Sequence, residues 1–130
     1  MKGWPHEHRI VVVAGLLGVV FLMAGAMKLA RSKAQLVENP NMAWAQDLSP
    51  ELIKAIGAAE VAGAAGLILP AALQIATALV PLAAAGLALI MIGAIITHGR
   101  RAEYPSVVVN LALFSMALFV AVERFGPHAF

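Results

Sequence analysis

Four polar side chains stand out in a chain otherwise built from apolar runs: Lys28, Glu60, His98 and Asn110 each lie within or at the edge of a long uncharged stretch. An ammonium, a carboxylate, an imidazole and a carboxamide can together pair charge, hold a proton and hydrogen-bond a carbonyl or hydroxyl group. Glu60 is the most demanding of them. An ionised group near the hydrocarbon core of a bilayer costs at least ~2.5 kcal/mol, so it must face protein or water and have a partner. At helical spacing from it stand Gly57, Gly63 and Ala64, with Ile56 and Leu67 alongside. Such small-residue stripes let helix backbones approach closely in lipid. Glu60 is therefore expected to point into a bundle.

The elements that must position these groups follow from composition and order. The chain has 130 residues, 62% of them hydrophobic and 12% charged, whereas ordinary soluble domains are about 45–50% apolar. The expected class is a single all-α membrane domain. With no cysteine, disulfides, thiolate metal sites and cysteine nucleophiles are excluded. A net charge of +2 with scattered basic residues gives no case for nucleic-acid binding; the basic side chains suit topology and lipid headgroups instead.

Residues 10–27 form an uncharged run behind a polar leader, and read as a membrane helix rather than a cleaved signal because the run exceeds a usual signal core. Residues 28–50 turn polar, and Ser49-Pro50-Glu51 is a helix start. In this loop Met42 and Trp44 suit the interface or a short lid. A second helix is expected to stop at Pro70. The run 71–97 would span ~40 Å as one helix, longer than the ~30 Å hydrocarbon core, so Pro81 marks a new start near residue 80. The reading is four transmembrane helices at about 9–30, 50–69, 80–98 and 106–123, with a polar loop at 31–49.

Four crossings place both termini on one face and the 28–50 and 98–105 connections on the other. Lys2, Arg9 and Arg124 count for the first, Arg31, Lys33, Arg100 and Arg101 for the second, a small excess that puts the loop face in the cytoplasm. Lys28 and His98 sit at the loop-side ends of their helices, Asn110 about a turn into the last, and Glu60 ~12 Å down the second. Side chains lean toward their own helix N-terminus, so all four can converge. Each also has a plainer use: Lys28 as a snorkelling end residue, His98 as an interfacial turn residue, Asn110 as an interhelical clasp, and Lys28 with Glu60 as a structural ion pair.

The segments FLMAGAMKL (21–29), IGAAEVAGAAGLILP (56–70), PLAAAGLALIMIGAIITHGRRAEY (81–104), VVVNLALF (107–114) and AVERFGP (121–127) resemble the DoxX-like family of small bacterial four-helix membrane proteins. Gly25, Lys28, Gly57, Glu60, Gly63, Gly66, Pro70, His98 and Asn110 carry the resemblance, which spans about residues 10–127. It implies a left-handed-type four-helix bundle in the bacterial plasma membrane with cytoplasmic termini, opposite to the small charge excess; the family is followed here. Relatives are linked to a thiosulfate:quinone oxidoreductase membrane subunit and to complexes handling thiol or oxidative stress.

Two functions from different classes follow. One is a quinone-interacting membrane subunit or accessory of an oxidoreductase complex, with Lys28, Glu60, His98 and Asn110 as the ligand-binding set and quinone as the cofactor. Such a subunit needs a partner dehydrogenase: His6, His8 and His128 lie on the terminal face and cannot join His98 as a second haem ligand. The other is a non-enzymatic module that binds or transports a lipid or small lipophile, or assembles membrane partners. Metal binding by Glu60, His98 and Glu103 has little support, since HxxxH and ExxH spacings are absent. Ser106 and Ser115 have no base at obvious spacing, and no catalytic residue is assigned. Small-residue seams at Ala14, Gly15 and Gly18 and at Gly86 and Gly93 serve packing within the bundle or between copies, the internal use being favoured because short helices must first bury one another; a homo-oligomer stays open.

Overall fold

A computed structural model describes residues 6–130; Lys2 lies outside them. The chain is all-α. Its four long helices are α1 (His6–Ala30), α3 (Pro50–Leu73), α4 (Leu79–Arg100) and α5 (Tyr104–Phe125), and between the first two stand a short helix α2 (Lys33–Val37) and a 3-10 helix (Pro40–Asp47). All four long helices are apolar and long enough to cross a bilayer.

The buried positions explain the assembly. On α1 they include Ile10, Ala14, Leu17, Phe21, Gly25 and Lys28, and on α3 they are Ile53, Gly57, Glu60, Ala64, Leu67 and Pro70. Steps of three and four place them on one stripe per helix, the repeat of shallow-angle bundle packing. Around the bundle the order is α1, α3, α4, α5, with α1 packed most extensively on α3, α4 on α5, and the α1–α5 seam the loosest. Large side chains outside the stripes, such as Leu16, Met23, Leu89 and Val108, are exposed. In water that would be an aggregation surface; in a bilayer it is the lipid-facing coat.

Backbones touch where side chains are missing. A Cβ on Gly25 would lie 2.6 Å from the Gly57 carbonyl oxygen, and a Cβ on Gly57 would lie 2.8 Å from Lys28 Cβ. Gly18 receives the Ile68 side chain, and Gly63 receives Leu87. Gly15, Gly86 and Gly93, by contrast, face open space, so the internal use expected of both seams holds for Gly18 and Ala14 only.

Helix ends follow local chemistry with one departure. Ser49 accepts from the Leu52 amide at 3.1 Å as the α3 N-cap, and Pro50 occupies the first helical position, where its missing N–H is not needed. Pro70, expected to end this helix, instead lies inside it. The helix runs on to Leu73 and ends at Gln74, which takes the left-handed conformation at φ 54°. A proline breaks only its own amide bond and crowds the carbonyl four residues back; that residue is Gly66. The C-terminal end of α1 is capped from α3: Lys54 Nζ donates to the carbonyls of Lys28 (2.8 Å), Leu29 (2.9 Å) and Arg31 (2.6 Å), placing a cation at the negative end of the helix dipole.

The 31–49 segment is folded rather than a plain loop. Ser32 and Gln35 form a capping box at the start of α2. Leu36, Met42 and Ala45 pack with Ile53 in a small second core, and Lys33 Nζ donates to the carbonyls of Gln46 (2.9 Å) and Leu48 (2.6 Å). The result is a lid over one end of the bundle. At the opposite end, Arg124 Nη1 and Nη2 donate to the two oxygens of Glu7 at 2.9 and 2.6 Å, so the N-terminus of α1 and the C-terminus of α5 share that end. Nη1 also donates to the His128 carbonyl at 2.9 Å, and Phe130 covers the guanidinium at 4.0 Å. Arg124, counted from sequence as a topology charge, is a buried clasp.

Candidate functional site

Beneath the lid lies a cavity of ≈ 410 Å³, and Lys28, Glu60, His98 and Asn110 all line it. Its size falls in the range of small-molecule sites, and most of its wall is apolar, with Phe21, Ile56, Met91 and Leu113 among the lining residues. The helices deliver these side chains by register: Lys28 is in the last turn of α1, Glu60 is on the buried stripe of α3, and His98 is in the last turn of α4.

Lys28 Nζ is 2.8 Å from Glu60 Oε1, and both side chains are nearly sealed, at 8% and 5% exposure. The close approach of Gly25 and Gly57 makes room for this pair directly at the α1–α3 contact. Glu60 Oε1 is sealed within the bundle, and the Lys28 ammonium is the charge that meets it.

The lid supplies an aromatic element. The Trp44 ring lies 5.9 Å from Lys28 Nζ and meets the His98 ring edge-on, at 5.6 Å and 73°. His98 Nδ1 is 2.9 Å from Glu103 Oε1. Facing a carboxylate, Nδ1 carries the proton and donates, which leaves Nε2 as the nitrogen available to the cavity. Glu103 is also 3.4 Å from Arg101 Nε, and Arg101 reaches the lid through Asp47 at 2.8 Å. This chain of contacts ties the α4–α5 turn to the 3-10 helix above the cavity. Asn110 makes no side-chain hydrogen bond among the described residues, so the interhelical clasp considered for it is not formed and its amide is open to the cavity. Glu60, His98 and Glu103 do not gather into a metal-holding cluster, and no other such group occurs among the described residues.

Trp44, read from sequence as an interface or lid residue, lines the cavity, and Glu103, weighed from sequence only as a weakly supported metal ligand, partners His98. Trp44 had a usable signal, as an aromatic in a polar segment between two helices. The tight turn at Ala102, φ 55°, folds Glu103 back onto His98.

The His98 hydrogen bond, with Arg101 beside it, holds the Glu103 carboxyl below its ordinary value of 4.5. A carboxylate with a lowered folded-state pKa stabilises the protein fully above its unfolded value, and that contribution is lost as pH falls through the lowered one. Detergent-solubilised protein should therefore lose thermal stability on acidification below pH 4.5. Glu103→Gln should flatten that part of the profile, and an unchanged acid limb in the variant would contradict the assignment.

The model of the DoxX-like family matches residues 12–120. No curated protein and no solved structure matches the chain. With four membrane-crossing helices and a family match over most of its length, the chain is a multi-pass integral membrane protein and belongs to the DoxX-like family.

Proposed function

We propose that the cavity binds a quinone, and that the protein serves as the quinone-contacting membrane subunit or accessory of an oxidoreductase complex. The observation that carries this reading is a largely apolar cavity on which Lys28, Glu60, His98 and Asn110 converge. A ligand that fits must be lipophilic over most of its surface and offer polar atoms at one end, and a ring bearing two oxygens on an isoprenoid tail has that form. Trp44 gives the ring an aromatic neighbour, while Glu60, His98 and Asn110 address its oxygens. Electrons reaching or leaving the ring would be carried by a partner, since the chain has no cysteine with which to build a dithiol or iron–sulfur carrier.

The alternative is a bundle that holds a lipid or assembles membrane partners. It draws on the position of the Lys28–Glu60 pair at the Gly25–Gly57 contact, where the pair pins α1 to α3. Mass spectrometry of lipophiles that co-purify in mild detergent separates the two readings. Quinone should accompany the native protein and fall at least ~10-fold in Glu60→Gln and His98→Ala, as expected for the loss of one charged hydrogen bond. Bulk phospholipid alone, equal in all three samples, would favour the alternative.

For localisation we infer the bacterial plasma membrane, with the shared end of the termini in the cytoplasm, from family membership. A C-terminal fusion to a reporter active only in the cytoplasm should be active; activity of a reporter requiring export would reverse the orientation.

A further inference from the structure

We propose that the cavity opens sideways into the bilayer between α3 and α4, and that Gly93 is the sill over which the chain of its ligand leaves. The proposal rests on the reading of this cavity as a quinone site and adds the class of ligand it takes: one whose ring is enclosed while its tail stays in lipid. A volume of ≈ 410 Å³ lies near the lower end of the range that buries a drug-sized molecule. It holds a substituted ring and the first part of a tail; a chain of many carbons must continue outside.

The packing of α3 on α4 gives the direction. Gly63 receives the Leu87 side chain, and a Cβ on Gly66 would lie 2.8 Å from Ala83 Cβ, so the two helices are closely joined in the half away from the lid. Helical steps carry these stripes toward the lid through Ile56 and Leu52 on α3 and through Ile90, Ala94 and Thr97 on α4, and there they have become cavity wall. Part of that wall is also outer surface. Leu52 is 46% and Leu89 69% exposed, yet both line the cavity, and a residue that faces both sides stands at an opening. Gly93, one turn from Leu89, lines the cavity and is exposed, and nothing lies within 4 Å of where its Cβ would be.

Depth fits a lipid route. Gly93 is seven residues before Arg100, the last of α4, or ~10 Å in from the helix end at ~1.5 Å per residue, which is inside a ~30 Å hydrocarbon core spanned by that helix. His98 lies ~7 Å nearer the lid, so a ring held at the polar end directs its tail toward Gly93. The lid stands across the other way out, tied to the α4–α5 turn by Arg101 donating to Asp47 at 2.8 Å. On the α1 side Val20 also lines the cavity, at 41% exposure, but it carries a branched side chain on its stretch of wall, and the lining residues of α5, Asn110 and Leu113, are half-buried.

The test is equilibrium binding of the purified full-length protein in mild detergent to a fully substituted benzoquinone with a ten-carbon tail and, separately, to the same ring with a methyl group in place of the tail. Gly93→Phe should weaken the tailed compound by ~10-fold or more, the worth of about two methylene groups kept from their place, and leave the tail-less ring nearly unaffected. Gly86→Phe, on the same helix with equally open space around it but off the cavity wall, should change neither. An unchanged affinity of Gly93→Phe for the tailed compound would overturn the α3–α4 opening while leaving the quinone site standing, as would loss of the tailed compound in Val20→Phe alone. Equal weakening of both compounds would overturn it too, since the phenylalanine would then occupy the ring's own space. Binding of neither compound by the native protein would overturn the quinone reading and this route with it. Should the phenylalanine variant fail to fold, Gly93→Leu against Gly86→Leu makes the same comparison with a residue that favours a helix over glycine.

Discussion

Lys28→Met should lower the stability of the bundle by about 3–5 kcal/mol, the usual effect of removing one partner from a buried ion pair. Lys28 and Glu60 are 8% and 5% exposed and 2.8 Å apart, so the methionine leaves a carboxylate in dry surroundings with no counter-charge. The same low exposure leaves little room for water to take over the ammonium's role. The double change Lys28→Met with Glu60→Leu should recover most of the loss, since both charges are then gone and apolar volume replaces them. Unfolding titrations of detergent-solubilised protein would measure each variant. A single variant as stable as the native chain would mean that the pair contributes nothing to the α1–α3 contact.

Gly25→Val should do comparable damage by a different route. The first added carbon would meet the Gly57 carbonyl oxygen at 2.6 Å, Val61 Cγ2 at 2.8 Å and the Val61 amide nitrogen at 3.0 Å. Two of these are backbone atoms of α3 and cannot rotate aside, so α1 must move away from α3. Overpacking of this kind costs about 1–3 kcal/mol. The displacement also pulls Lys28 from Glu60, adding part of the ion-pair loss. Gly15→Ala is the matched control. Nothing lies within 4 Å of its added carbon, and alanine favours a helix over glycine by up to about 1 kcal/mol, so stability should hold or rise. Thermal denaturation of the two variants side by side checks both expectations, and equal behaviour would remove the close α1–α3 approach as the explanation.

The bundle could be read from residue order because membrane helices declare themselves through composition and length. Uncharged runs bounded by Lys28, Ser49-Pro50 and the 98–105 turn set the number of crossings. The steps of three and four through Gly57, Glu60, Ala64 and Leu67 set which face turns inward. The convergence of Lys28, Glu60, His98 and Asn110 on one cavity follows from the same register, since residues at known depths on four helices have few places to go. What periodicity does not reach is irregular structure. Trp44 is placed by a 3-10 helix held through Lys33 contacts to backbone carbonyls, which no spacing rule describes. Pro70 shows the converse: a residue with a strong local preference was overruled by packing, and the helix passed through it. The open faces of Gly15, Gly86 and Gly93 have the same lesson, for a small residue marks where a neighbour can approach and says nothing of whether one does.

The Glu7–Arg124 clasp constrains the order of biosynthesis. Its partners are 117 positions apart, and a chain that enters the membrane from its N-terminus exposes Glu7 long before Arg124 exists. The α1–α3 and α4–α5 contacts join neighbours along the sequence of spanning helices and can form as each pair emerges; the loose α1–α5 seam can shut only when translation is nearly complete. Until then α1 and α3 stand as an open half-ring, with the cavity wall unfinished and Lys28 and Glu60 already paired along its edge. The cavity wall, to which α5 contributes Asn110 and Leu113, is therefore completed only as the last helix arrives.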